Sequence, residues 1–415
     1  MRVPTLSNLQ SYLNIQDDSI INAQQQLIEM EDAYGFWMGQ QWTRTYDKYR
    51  PHETCFGFLL KGFFSVDRVV QLIENIMNQK DNKVFVLSSK TLEHYDYVSQ
   101  SDAKSKLTRF IQMGSKNGDR TNRVGSESLL SLCQNNVLHA CPVFISIESE
   151  LSPSNIELLL SPRNDLDNRC WDLPLQWIYN PTAGVLGCVI NHSLYDGNKA
   201  ARYIEKIVPL ESPLESPLES PLESPLEMGH CNGGPVEAID RPIVLNDASE
   251  IVVVNIPTKS ALTDAIIQLA IQRAYFDTYK TLGNVYESVD TSDVFEGTRT
   301  ETCRSMTKAS YLFATSPTID TRLYANAVQM HINQLSSIFS GNGVDRHMFS
   351  LRRIINDPSH EVNRDEKWPI SSSRVDSDAI DVFVARPIDH LGFSYTVQKT
   401  HITMVIIGPE GEQPL

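Results

Sequence analysis

The sequence predicts a protein of mixed helix and sheet, α/β or α+β on pattern alone, built as two lobes. Three observations carry this. The chain has 415 residues, and a single hydrophobic core usually stops growing below about 300 residues. A tract reading "PLESPLESPLESPLESPLE" interrupts it from Pro209 to Glu227. Proline at this spacing forbids a helix or sheet interior, and serine and glutamate cannot supply a core. On both sides of the tract, helically spaced apolar segments are interspersed with short apolar runs rich in β-branched residues. The expected division is a first lobe over residues 1–208, an extended, disordered linker over 209–247, and a second lobe over 248–415.

In the first lobe, "SVDRVVQLIENIMNQK" places Val66, Val69, Val70, Ile73, Ile76 and Met77 on one stripe behind Ser65 as N-cap, which predicts an amphipathic helix. "KVFVLSS", "CPVFISIE" and "AGVLGCVI" are too short for most helices and read as strands. A further helix is expected to begin near Asn198. Beyond the linker, "IVVVNIP" predicts a strand, and "TDAIIQLAIQRAYFDTYKTLG" a long helix entered at Thr263 and stopped at Gly283. "TRLYANAVQMHINQLSSIF" predicts a second helix, and "IDVFVAR" and "THITMVII" the last strands.

Charge and composition exclude some functions. A formal net charge of -15 argues against a general nucleic-acid binder, because neutralising phosphates needs clustered lysine and arginine. No apolar run approaches the roughly 18 residues of a membrane span, so the expectation is a soluble or peripheral protein. Seven scattered cysteines without a C-x-x-C pair disfavour a disulfide scaffold and a zinc site, and no metal site is read. They suggest a reducing, intracellular compartment. The N-terminus lacks the features of a cleaved targeting segment, which leaves cytoplasm, mitochondrion and peroxisome undistinguished.

The chemistry-bearing stretch is "INHSLYDGNKAARYIEKI". His192 follows a predicted strand, where α/β proteins place ligands, and Gly197 lets the chain turn closely into the next helix. Asp196 could fix the loop through an arginine or the backbone, and an imidazole of ordinary pKa about 6.5 suits proton abstraction from a hydroxyl or thiol. A strand-end histidine before a turn-forming Asp-Gly would look the same. "VYESVDTSDVFEGTRTETCRS" is dense in hydroxyls and carries Arg299 and Arg304. Its composition fits a polar-ligand site and fits a solvated loop better. "VDRHMFSLR" and "ISSSRV", taken singly, read as a helix terminus or a turn.

Taken together and in order, these motifs resemble the choline/carnitine acyltransferase family. "VPTLSNLQSYL" is similar to the family's opening, and "NRCWDLPLQWIYNPTAGVLGCVINHSLYDG" to its stretch ending in the catalytic H-S-x-x-D-G. "YESVDTSDVFEGTRTETCRS" resembles the Y-E-S to R-T-E-T-x-R-S motif, with one extra residue before Phe295 and the glycine displaced to Gly297. "DRHMFSLR", "SSS" and "DHLGFSYTVQKTHITMVI" follow in the family's order.

The resemblance implies an α/β, two-lobed, CoA-dependent acyltransferase fold, each lobe a mixed sheet flanked by helices, with an active-site tunnel between them. It implies reversible acyl transfer between coenzyme A and the hydroxyl of carnitine or choline, and hence a place in fatty-acid metabolism. His192 is implied as general base, positioned by Asp196, and Ser373 as the hydroxyl that holds the oxyanion. Tyr286, Ser288, Thr300, Arg346, Ser371 and Phe383 fall at carnitine-site positions, and Lys259 and Asp264 at CoA-site positions. Choline has no carboxylate and gives Arg346 nothing to bind, so carnitine is favoured. No bound cofactor is implied; acyl-CoA is the co-substrate, and the expectation is a monomer with peripheral membrane contact left open. The chain is shorter than a typical member, with both lobes expected to be trimmed. One lysine, Lys259, stands where the family has a pair. The alternatives are therefore a weakly active or inactive family member serving as a binding or scaffold protein, and a choline O-acyltransferase.

Overall fold

A computed structural model describes residues 3–34, 55–80, 83–89, 92–116, 143–160, 169, 173–192, 194–209, 243–245, 249–257, 264–295, 299–363, 367–387 and 390–409. Nearly all of the expected linker, with Thr263, Lys259 and Gly297, lies outside the described residues. In chain order the first elements are α1 (Asp18–Tyr34), β1 (Cys55–Leu60), α2 (Val66–Met77), β2 (Val84–Ser88), β3 (Leu92–Asp96) and α3 (Gln100–Lys116). They continue with β4 (Val143–Ile147), β5 (Leu175–Asn180), β6 (Val185–Asn191) and α4 (Gly197–Ile207). Next come β7 (Ile243–Leu245), β8 (Ser249–Pro257), α5 (Asp264–Tyr279), β9 (Val285–Val289), β10 (Glu301–Arg304), α6 (Lys308–Ala314) and α7 (Thr321–Phe339). The last are α8 (Asp345–Ile355), β11 (Ile370–Asp376), β12 (Ile380–Val384), β13 (Leu391–Val397) and β14 (His401–Pro409).

The strands form two mixed sheets of seven, ordered β12-β1-β6-β5-β4-β2-β3 and β10-β9-β11-β13-β14-β8-β7. This is the α/β class with helices against mixed sheets. The apolar stripe of α2 packs with α3 and α4 on one face of the first sheet, over Phe56, Phe58, Phe85 and Trp177. The Ser65 hydroxyl caps α2 by accepting from the Arg68 N–H at 3.2 Å, which satisfies one of the donors a helix start leaves unpaired. On the second sheet, Ile267, Ile271 and Tyr275 of α5 cover Phe393, Tyr395 and Met404.

Two features depart from the division at residues 209–247. Strand β12, from the C-terminal part of the chain, completes the first sheet by pairing antiparallel with β1, Phe383 opposite Phe58. Helix α1 packs against α8, with Leu9, Ile20 and Leu27 meeting Met348 and Leu351. A shared core explains the exchange. Cys55, Leu59, Ile178 and Val189 on the back of the first sheet pack with Ile251, Val405 and Ile407 of the second. Apolar strands so buried on both faces need neighbours from either half.

Helix α5 ends at Tyr279 and not at Gly283, because Lys280 adopts a left-handed conformation, φ 56°, and turns the chain out. Gly283 is instead a point of close approach, where an added Cβ would meet the Pro369 ring at 2.5 Å. The hydroxyl-rich stretch after α5 is an antiparallel strand pair, β9 with β10, and "ISSSRV" is strand β11. The period-two alternation of β9, with alternate residues buried, was hidden in sequence by its polar composition.

Candidate active site

Strand β6 ends at Asn191, and the chain turns tightly, with Leu194 and Tyr195 N–H groups donating to the Asn191 carbonyl, before entering α4. His192 stands on this turn with 34% of its side chain exposed, its ring edge-on to Phe56 at 5.4 Å between centroids. Its Nδ1 lies 2.9 Å from the Tyr195 carbonyl oxygen and 3.5 Å from Asp196 Oδ1. A carbonyl only accepts, so Nδ1 carries the proton and the basic lone pair sits on Nε2. Burial pushes the His192 pKa down, the Asp196 carboxylate opposes this, and the net result is below the ordinary value. The imidazole is therefore neutral at pH 7.

Asp196 anchors the turn to the other half of the chain. Its carboxylate accepts from Arg299 Nε and Nη2, both at 2.8 Å, and from the Thr300 N–H at 3.0 Å. Arg299 Nη2 also donates to the His192 carbonyl at 2.5 Å. Burial would raise the Asp196 pKa, but the Arg299 charge and the donors around it hold the carboxyl below its usual range. This engagement explains why Asp196, at the N-cap of α4, makes no side-chain cap to that helix. Gly197 allows the close approach, since a Cβ there would meet Val375 at 3.3 Å and Phe383 at 3.6 Å.

The second sheet presents a row of hydroxyls. Its register sets Thr302, Ser288, Ser373 and Ser394 side by side across β10, β9, β11 and β13, and Arg304, Tyr286, Ser371 and Gly392 in the adjacent row. Opposed residues point to the same side of a sheet and alternate residues share a face, so Ser371, Ser373 and Val375 face together. Val375 is the residue against Gly197, which directs this face towards the turn bearing His192. Ser373 is partly buried; the Ser371 hydroxyl donates to the Leu391 carbonyl at 3.4 Å.

Arg346, in the first turn of α8 and 4% exposed, closes this corner. Its Nε donates to the Thr300 carbonyl at 2.6 Å, and Nη2 donates to the Tyr286 hydroxyl at 2.7 Å and reaches Thr300 Oγ1 at 3.5 Å. Burial alone would lower its pKa; the Tyr286 hydroxyl and the Glu301 carboxylate raise it, so the guanidinium stays charged. Asp345 beside it pairs with Arg304 at 2.6 Å, and Trp368 stands edge-on to Tyr286 at 5.7 Å.

The structure brings His192, Asp196, Ser288, Ser371, Ser373, Tyr286, Thr300 and Arg346 to the junction of α4 with the second sheet. Phe383 lies beneath Gly197, 3% exposed and packed on Phe56 and Phe58, so it forms the floor of the turn rather than an open wall. Asp264 sits on the opposite face of the sheet, with Tyr395 and Arg374, and is not part of this cluster. There it accepts from the Tyr395 hydroxyl at 2.5 Å and lies 3.4 Å from Arg374. Lys259 lies outside the described residues. On that far face, Glu287, Cys303 and His331 bring their ligand-type atoms within 4.8 Å of one another, and the His331–Glu287 hydrogen bond at 2.8 Å accounts for the cluster.

The model of the family described as Choline/Carnitine o-acyltransferase matches residues 255–413. The match covers less than half of the chain. It includes Tyr286, Thr300, Arg346 and Ser373. The mitochondrial carnitine O-acetyltransferase of Saccharomyces cerevisiae is 31% identical over 146 residues, covering 31% of this chain and 22% of that protein. The muscle isoform of carnitine O-palmitoyltransferase 1 from Sus scrofa is 32% identical over 142 residues, covering 31% of this chain and 18% of that protein. Among solved structures, the tallysomycin biosynthesis protein TlmII is similar over 90% of this chain and 93% of that chain, at 10% identity and a TM-score of 0.36.

Sequence alone does not give Arg299 its partner. Arg299 stands in the R-T-E-T signature, yet its partner Asp196 is 103 positions away, and no local pattern links them.

Proposed function

We propose that the protein is a carnitine O-acyltransferase, moving an acyl group reversibly between coenzyme A and the carnitine hydroxyl. The observation that carries this reading is the joint anchoring of base and alcohol site on one hairpin. Arg299 holds Asp196 and the His192 carbonyl, while the next residue, Thr300, is held by Arg346 together with Tyr286. In this reading a carnitine carboxylate lies against Arg346, Tyr286 and Thr300. Its hydroxyl points towards His192 Nε2, which takes the proton as oxygen attacks the thioester carbon. Nδ1–H stays on the Tyr195 carbonyl, and Asp196 at 3.5 Å stabilises the imidazolium that forms. The tetrahedral oxyanion is then held by the Ser373 hydroxyl, and its collapse expels CoA thiolate, which recovers the proton from His192.

Arg346 favours carnitine over choline, because a buried guanidinium between two hydroxyls is suited to a carboxylate and choline offers none. The test is release of free CoA thiol from acetyl-, octanoyl- and palmitoyl-CoA with carnitine or choline as acceptor. Carnitine-dependent release by the wild type, lowered by about 10²–10⁴-fold in His192→Ala, is expected. No release with any donor, or equal rates for the two proteins, overturns the reading; a preference for choline overturns the role given to Arg346.

A further inference from the structure

Helix α4 leaves the His192 turn with a second polar stripe that the catalytic scheme does not use. Asn198, Arg202 and Glu205 are spaced i, i+4, i+7 and so lie on one face, while Ala200, Ala201, Ile204 and Ile207 fill the first core. All three stripe residues bond to the second half of the chain. Asn198 Nδ2 donates to the Arg374 carbonyl at 3.0 Å, and the Ser377 hydroxyl donates to Glu205 at 2.8 Å. Arg202 is the centre of the stripe. Its Nη2 donates to Asp290 Oδ2 at 2.9 Å and to the Ser292 hydroxyl at 2.6 Å, and Nη1 to Asp293 Oδ2 at 3.1 Å.

These three acceptors occupy the turn between β9 and β10, where the sequence has one residue more than the family motif it resembles. The turn is tied internally to the site. Thr291, fully buried, donates its hydroxyl to the Arg299 carbonyl at 3.0 Å, and its own carbonyl accepts from Val294 and Phe295 N–H groups. The Ser292 N–H donates to Asp290 Oδ1 at 2.9 Å. Two arginines therefore cross the same seam in opposite directions. Arg299 runs from the hairpin to the His192 turn, and Arg202 runs from the His192 helix back to the hairpin.

We propose that Arg202 is a positioning residue: with Asp290, Ser292 and Asp293 it clamps the β9–β10 turn onto α4 and so fixes Thr300 and Arg299 relative to His192. The contact acts through the hairpin, since among the described residues Arg202 is linked to the alcohol site by way of Thr291 and the Arg299 backbone. Its kinetic consequence rests on the acyltransfer reading above; its structural consequence rests on these contacts alone.

The test compares the full-length wild type with Arg202→Ala, Asp290→Ala and the double variant. Without the clamp, amide hydrogen exchange over residues 285–304 is expected to quicken by about tenfold, with the first sheet unchanged. The carnitine KM is expected to rise about tenfold and the acyl-CoA KM to stay within about twofold, because only the alcohol half of the site is displaced. The double variant should be no worse than either single one, the non-additivity of two groups in one contact. Unchanged exchange over 285–304 overturns the clamp, as does an equal rise in both KM values or full additivity in the double variant. A wild type that transfers no acyl group overturns the acyltransfer reading, and the exchange comparison then decides the clamp independently.

Discussion

The two halves of the site are held in opposite ways. Arg346 is buried and bonded within the second sheet and its helices, to Thr300 and Tyr286, with Glu301 accepting from its own N–H at 3.1 Å. His192 stands on an exposed turn whose geometry depends on a residue from the other half of the chain, Arg299. The family match follows the same division: it covers residues 255–413, and His192 lies outside it. A binding surface made of adjacent strands is fixed by sheet register. A base brought in on a loop has to be fixed by contacts across a seam.

The largest effect should come from the seam side. His192→Ala is expected to lower kcat by about 10²–10⁴-fold with little change in the carnitine KM, measured as CoA thiol release. A loss confined to KM would show that the histidine binds rather than abstracts. The complementary change on the sheet side is Arg346→Lys, which keeps the charge but removes the planar fork. It should raise the carnitine KM by about 10–100-fold, the range for losing a charge-assisted hydrogen bond of roughly 1.5–3 kcal/mol, with slow choline turnover unaffected. If both alcohols were equally impaired, Arg346 would be a scaffold for Tyr286 and Thr300 and not a carboxylate ligand.

Local and long-range contacts divide what is legible in the sequence along the same line. Helices α2 and α7 were legible because their apolar spacing and caps are local, Ser65 accepting from Arg68 and Asp320 from Arg322 and Leu323. The strands β9 and β11 were not, since "YESV" and "ISSSRV" are polar on the face that carries the hydroxyl row, and composition alone makes such segments look like loops. Of the candidate site, the motifs single out Tyr286, Thr300, Arg346 and Ser373 as positions to examine, but the clamp on Asp196 needed the fold to bring residue 299 to residue 196. Asp264 illustrates the reverse limit: a motif position was legible, while its place on the far face of the sheet, under Tyr395, was not.

A smaller, pH-dependent effect sharpens how the turn is tuned. The Asp196 carboxylate favours the charged form of His192, against burial, which lowers its pKa. Replacing Asp196 by Asn removes that support and leaves the Arg299 charge uncompensated nearby, so both changes favour the neutral imidazole. The acid limb of the kcat/KM profile, which reports protonation of the free base, should therefore move to lower pH in Asp196→Asn while the plateau falls. An acid limb that stays in place would mean that Asp196 does not sense the imidazole.

A last effect concerns stability in the sheet half and leaves the kinetics aside. Glu301 is 2% exposed, accepts from the Thr302 and Arg346 N–H groups, and sits where an added Cβ on Gly343 would collide with its carboxylate. Burial pushes its pKa from the ordinary 4.5 up to about 7, even though Arg346 pulls it down. The folded state thus binds this proton more tightly than the unfolded chain. By linkage, the contribution of Glu301 is full below about pH 4.5 and is lost as pH rises through about 7, a change on the order of 3 kcal/mol at about 1.36 kcal/mol per pKa unit. Glu301→Gln keeps a neutral side chain of the same shape, so urea unfolding at pH 5, 6, 7 and 8 should give a flatter profile than the wild type. The variant should also gain most over the wild type at pH 8. Parallel profiles would show that Glu301 is already ionised in the folded protein, with Arg346 as its compensating charge. The sheet half would then depend on an ion pair, as the seam does on Arg299 and Asp196.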